Sequence, residues 1–241
     1  MLPRVILHSG VSVDGRIDWG QDDMGLYYEL AARSNAEAML SGSNTMLAAY
    51  AGQETPPEAD VEASGPKELH PLHVPFLVVV DSRGQIRNWR VIQREPYWRD
   101  VVVLCSRATP PAYLDDLREC HLDYIVAGDE RVDFRTALEE LNARYGITKV
   151  RVDSGGILSG VLLRAGLVDE VSVLVGPCLV GGASPRSMFV APDLASPDGV
   201  IPLKLIAVER MRGDIIWLRY KVVIREQGSG IREYTLPVTD H

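Results

Sequence analysis

The 241-residue chain is 46% hydrophobic and 24% charged, with 21 glycines, 15 prolines and three cysteines. That is the composition of a globular protein long enough to bury a sizeable core, and it excludes a disordered chain, a collagen-like repeat and a disulfide scaffold. Thirty-three acidic against 25 basic residues give a net charge of −8, which argues against a broad nucleic-acid footprint but leaves room for a small anionic ligand at a locally positive site.

In chain order, short β-branched runs predict strands over 5–7, 38–40, 76–80, 101–104, 124–126, 150–152, 171–175, 203–208 and 215–223. Helical periodicity fills 24–32, 45–50, 111–120, 134–145 and 157–165. Such alternation predicts an α/β fold, a mostly parallel sheet with helices on both faces. Only residues 209–214, with Gly213 in the turn, separate the last two runs, so these are expected to close as an antiparallel hairpin and make the sheet mixed. Residues 51–75 carry five prolines and five acidic residues and sustain neither period. They read as one long surface loop inside a single domain spanning 1–224, with 183–202 as a second loop and 225–241 as a tail. No apolar run reaches the ~20 residues of a membrane helix, and no targeting segment is recognised before the first strand. Cys105, Cys120 and Cys178 are odd in number and widely spaced, so they frame neither disulfides nor a zinc ribbon. The expectation is a cytoplasmic protein with reduced thiols, no metal, no membrane and no nucleic-acid partner.

Two glycine-bearing turns open helices: Gly42-Ser43-Asn44-Thr45 after the second strand, and Asp153-Ser154-Gly155-Gly156 after the sixth. A helix N-terminus presents unpaired amides and partial positive charge, and glycine lets a phosphate approach the backbone, so two such turns side by side would hold a pyrophosphate. Either turn taken alone reads first as a tight strand-to-helix connection. At the end of the third strand, Asp81-Ser82-Arg83-Gly84 places a hydroxyl and a guanidinium where an extra phosphate would sit, or is a plain polar turn. Ser12-Val13-Asp14-Gly15 follows the first strand as a turn, while His8 and Arg33 are isolated candidates.

Taken together and in this order, these features resemble the reductase domain of riboflavin biosynthesis. The most specific part is LLRAGLVDEVSVLVGPCLVGG at 162–182, and the resemblance extends over about residues 4–224. It implies a dihydrofolate reductase-like fold, NADPH as cofactor, a homodimer, and reduction of a ribosylamino-pyrimidinone 5′-phosphate to its ribitylamino form. By the same resemblance, the backbone at Gly10 and Val11 meets the nicotinamide, and Gly42, Ser43 and Thr45 touch the cofactor's phosphates and ribose. Ser154, Gly155, Gly156, Ile157, Leu158 and Ser159 close over the pyrophosphate, and Ser82 with Arg83 selects the 2′-phosphate. Arg33 and Asp153 bind substrate, and Asp153 and His8 are the candidates for handling the proton. Departures fall mainly on the substrate side: a common lysine is His8, a glutamate is Asp153 and an aspartate is Ala49, while another aspartate is Glu37. Pro177-Cys178 lacks a second cysteine three residues on, so the deaminase signature is missing and a stand-alone reductase is expected. The alternatives are a reductase of another imine, such as a pterin or dihydrofolate, for which Glu29 is the only nearby carboxylate on the first helix, and a non-catalytic NADPH-binding protein.

Overall fold

The computed structural model describes residues 1–19, 23–52, 74–183 and 186–223; the tail at 225–241 and nearly all of the loop at 51–75 lie outside these. The first half of the chain runs β1 (Arg4–Ser12), α1 (Met24–Ala32), β2 (Ala38–Gly42), α2 (Ser43–Ala49), β3 (Phe76–Val80), α3 (Trp89–Ile92), β4 (Val101–Cys105) and α4 (Pro111–Glu119). It continues β5 (Asp123–Val126), α5 (Phe134–Tyr145), β6 (Lys149–Val152), α6 (Gly156–Arg164), β7 (Glu170–Gly176), β8 (Leu203–Arg210) and β9 (Ile216–Val222). One nine-stranded sheet has the order β5-β4-β3-β2-β6-β1-β7-β9-β8. All pairs are parallel except β7 with β9 and β9 with β8, so the expected α/β sheet with an antiparallel end is present.

Local chemistry explains the helix boundaries. Asp23 caps α1 by accepting from the Leu26 amide at 2.7 Å, and Asp133 caps α5 by accepting from Thr136 at 3.1 Å. Gly146, at φ 67°, ends α5 in the left-handed conformation. By contrast α2 and α6 begin at Gly42 and Gly155, neither of which supplies a capping side chain.

The two sheet faces are covered differently. On one, α5 and α6 bury Leu138, Leu141 and Leu162 against Val5, Leu7, Leu40, Val78 and Val102 in a continuous core. On the other, the core is divided. Met46, Trp89, Tyr113 and Leu117 cover Leu77, Val79, Val101 and Val103 at one end, while Leu26, Tyr27 and Leu30 of α1 cover Leu174 and Trp217 at the other. Between the two clusters this face carries buried polar residues, His8 on β1 and Arg151 on β6. The chain at 187–190 lies directly on α6, with the Val190 amide donating to the Gly156 carbonyl at 2.9 Å. A Cβ at Gly160 would stand 1.9 Å from the Val190 carbonyl oxygen, so only glycine permits this approach.

Candidate active site

The geometry of the site follows from where β6 stops. It pairs with β1 only through residues 4–7 and with β2 only through 38–40, after which the Asp153 amide donates to the Leu40 carbonyl at 3.0 Å and the chain turns into α6. β1 runs on to Ser12 against β7 alone, so residues 8–12 border a notch at the carboxyl ends of the strands, with Gly42 on its far side. Such a crevice is where open α/β sheets bind ligands.

The two glycine turns meet across this notch. The Gly42 amide donates to Ser154 Oγ at 3.1 Å, Ser154 Oγ lies 3.2 Å from Thr45 Oγ1, and the Gly155 amide donates to Thr45 Oγ1 at 3.4 Å. A Cβ on Gly42 would lie 3.2 Å from Ser154 Oγ and fill the cradle. Uncapped first-turn amides at two adjoining helix starts suit a diphosphate. Ser43 opens α2 beside them, and Gly10 and Val11 border the notch, the Val11 side chain turning into the core. The remaining α6 residues divide. Ile157 is exposed at the rim, Gly156 lies under Ser187, Leu158 is buried with Cδ2 3.9 Å from where a Gly42 Cβ would stand, and Ser159 is buried. Of these four, Ile157 offers the cradle's open side a side chain, while the first-turn amides belong to Gly156, Ile157 and Leu158.

One strand away, Asp81 accepts from the Gln85 and Ile86 amides and from the Tyr113 hydroxyl at 2.7 Å, which fixes the turn after β3. Gly84, at φ 63°, sits against the Tyr113 ring. Asp81 is thereby consumed by structure. Ser82 is half-buried and Arg83 is exposed, without an ion-pair partner among the described residues. Asp14 is also structural: it accepts from Ser12 Oγ and from the Val180 and Gly181 amides at 2.6, 3.0 and 2.7 Å, which holds its carboxyl far below the usual range. The distinctive 162–182 segment thus contains β7 and the backbone that Asp14 grips. Glu37 accepts from Thr148 and Lys149 at the entry to β6.

Behind the notch lies a hydrogen-bonded layer whose protonation states can be read from its partners. His8 Nε2 is 3.2 Å from the Tyr27 carbonyl, which only accepts, so Nε2 carries the proton. The Trp217 indole, which only donates, reaches Ser172 Oγ at 2.8 Å, leaving the Ser172 hydroxyl to donate to His8 Nδ1 at 3.0 Å. The ring is neutral, and burial with the nearby Arg151 charge pushes its pKa down to about 4. The Tyr27 hydroxyl shares its single proton between the His8 carbonyl at 3.0 Å and Asp153 Oδ1 at 2.8 Å. Burial raises the Asp153 carboxyl above its usual range, opposed by Arg151 and the Tyr27 bond. Arg151 Nη2 approaches Asp153 Oδ2 only to 3.8 Å, and Arg151 Nε and Asp153 Oδ2 are buried without hydrogen-bond partners.

Of the expected residues, then, Asp153, Gly42, Thr45, Ser154 and Gly155 come together, and His8 sits behind them with both nitrogens occupied. A proton-transfer role for His8 would require breaking that arrangement, so its geometry favours holding Tyr27 in place. Arg33 caps α1, pairs with Glu29 at 3.2 Å, lies 5.6 Å from the Trp217 ring centre and lines a cavity of about 170 Å³ whose wall includes His8 and Arg151 but none of the glycine-turn residues. Glu29 is also taken by Arg212 at 2.9 Å. The sequence reading missed Tyr27, Ser172, Trp217 and Arg151. Only Arg151 left a signal there, a cation set between the buried Val150 and Val152 and two residues before Asp153.

The RibD C-terminal domain family matches residues 3–217. A 2,5-diamino-6-ribosylamino-4(3H)-pyrimidinone 5′-phosphate reductase from Methanothermobacter thermautotrophicus is 30% identical over 225 residues, which are 90% of this chain and 97% of the relative. A reductase of the same name from Archaeoglobus fulgidus is 29% identical over 192 residues, 76% and 84% of the two chains. The fold is shared with a pyrimidine reductase-like protein from Corynebacterium diphtheriae, with a TM-score of 0.68 at 17% identity over 93% of both chains. It is shared too with a riboflavin biosynthesis reductase from Saccharomyces cerevisiae, with a TM-score of 0.63 at 19% identity over 92% and 90%. With its sheet order, its notch at the end of β6 and a match spanning nearly all of the described residues, the chain belongs to the RibD C-terminal domain family.

Proposed function

We propose that this protein is an NADPH-dependent reductase that converts a ribosylamino-pyrimidinone 5′-phosphate to its ribitylamino form. The observation that carries the reading is the cradle in which Ser154 and Thr45 lace two glycine-capped helix starts together beside Asp153. The names of the archaeal relatives support the substrate class. Bound NADPH supplies the hydride to the former anomeric carbon of the opened sugar imine. The first-turn amides that follow Gly42 and Gly155 and the hydroxyls of Ser43, Thr45 and Ser154 hold the diphosphate, Gly42 and Gly155 leave room for it, and Ser82 and Arg83 meet the 2′-phosphate. Gly10, without a side chain, leaves room for the nicotinamide against β1. Asp153, whose carboxyl burial favours the protonated form, gives the proton that balances the hydride to the imine nitrogen, and Tyr27 fixes its orientation. His8 positions Tyr27 without titrating, and Arg33 meets the sugar phosphate. The chain acts as a homodimer joined at β8, where Leu203, Leu205, Ile206 and Val208 are exposed.

Cofactor selection tests this reading directly. NADPH at a hundred times its Kd is expected to stabilise the fold by about 2.7 kcal/mol in thermal or denaturant unfolding, with NADH clearly weaker. Arg83→Ala narrows the difference without unfolding the protein. Equal affinity of the unmodified protein for both nucleotides contradicts the role given to Ser82 and Arg83.

A further inference from the structure

The cavity of about 170 Å³ lies beneath the carboxyl end of α1, away from the glycine turns. Its lining starts at Arg4, Lys149 and Glu170, the first residues of β1, β6 and β7, and reaches up to His8 and Arg151. Five cations, Arg4, Arg33, Lys149, Arg151 and Arg219, face a single lining carboxylate, in a protein whose net charge is −8. That carboxylate, Glu170, is buried and already held by Arg4 at 2.6 Å and Arg219 at 2.8 Å. Even with Glu29 and Asp153 counted from the borders, cations are in excess. Arg33 and Arg219 both lie over the Trp217 ring, at 5.6 and 5.3 Å, which restricts two guanidinium groups to the cavity wall. Arg151 is nine-tenths buried, its Nε has no partner, and its nearest carboxylate oxygen stays at 3.8 Å. A buried guanidinium left this far from full pairing is costly unless something else completes it.

We propose that this cavity is a binding site for a phosphomonoester dianion, with Arg151 as its deepest ligand and Arg33, Lys149 and Arg219 around it. A compact dianion with several acceptor oxygens matches several converging donors in so small a volume, whereas a nucleotide does not fit. Arg151 stands two residues before Asp153 on β6, ~7 Å along the strand, about the reach of an opened pentose chain. The inference deepens the proposed function and rests on it only for what carries the phosphate. The substrate's own 5′-phosphate and free inorganic phosphate share this chemistry.

Titration calorimetry of the full chain with inorganic phosphate tests the site. Arg219→Gln leaves Glu170 paired with Arg4, and Lys149→Gln gives up a bond to the Ser34 carbonyl. Each is expected to weaken phosphate binding at least tenfold, while Arg107→Gln, an exposed residue paired with Asp129, leaves it unchanged. NADPH affinity stays constant in all three, so loss of the phosphate site and failure of the cofactor assignment are separate results. Competitive inhibition by phosphate against the phosphorylated substrate assigns the site to the substrate's phosphate, and non-competitive inhibition assigns it to the free ion. Absence of saturable phosphate binding, or unaltered affinity in both cavity variants, overturns the proposal.

Discussion

His8 stands where the family resemblance implied a proton-handling group, yet its partners describe a neutral ring that serves as a support. The distinction is measurable through pH. An unfolded histidine titrates near 6.5, and the folded one near 4, so between these values the unfolded chain binds a proton that the native protein does not. Stability therefore rises with pH across that window and is lost on acidification, by about 3 kcal/mol from His8 alone. Denaturant unfolding at about pH 7 and about pH 4 should show that loss, and His8→Gln, whose amide can meet both the Tyr27 carbonyl and Ser172 Oγ, should remove it. An equal loss in protein and variant would mean that His8 is not a buried neutral imidazole. Asp153 has the opposite sign: its raised folded pKa makes stability fall as pH rises above the ordinary aspartate value, so the two slopes do not mimic each other. At this scale the sequence was only partly legible. Gly42, Thr45, Ser154 and Asp153 sit in recognisable turns, but Tyr27, Ser172 and Trp217 join His8 from α1, β7 and β9, and nothing in their local sequence marks a meeting made by the sheet.

Elements were easier to read, because each strand and most helices carry their own periodicity. The exceptions have identifiable causes. β1 runs through Ser12 although residues 8–12 lack a β-branched run, since pairing with β7 alone holds them extended. α3 spans only four residues, too short for a periodic pattern, and forms because Trp89 and Ile92 fill the core over β3 and β4. β8 is the edge element with an unmet surface: Leu203, Leu205, Ile206 and Val208 are all exposed on a strand paired on one side only, with a register shift between Leu205 and Ala207. Exposed apolar edges invite pairing, and this is the surface that the proposed homodimer would cover. Burying a leucine contributes about 1.5–3 kcal/mol, so Leu205→Lys with Val208→Lys should turn a sedimenting dimer into a monomer that keeps its fold and its NADPH affinity. A monomeric unmodified protein at micromolar concentration contradicts the arrangement.

At the scale of the molecule, function follows from the asymmetry of the two sheet faces. One face is sealed by a continuous core; the other is sealed only at its ends, which leaves His8, Arg151 and Asp153 between two apolar clusters and beside the cradle at the strand ends. Strand and helix alternation made the α/β architecture legible from composition and spacing, but the divided core was not, because it depends on which strands become neighbours. β6 inserts between β2 and β1 from far along the chain, and that insertion brings the two glycine turns together. The central claim is that this arrangement passes hydride and proton to an opened sugar imine. Its most direct measurement follows nicotinamide absorbance when the purified protein meets NADPH and 2,5-diamino-6-ribosylamino-4(3H)-pyrimidinone 5′-phosphate. Oxidation should require both compounds, and Asp153→Asn should slow it at least ~100-fold with cofactor affinity retained. NADPH that binds yet is oxidised with neither this compound nor its deaminated counterpart would contradict the account.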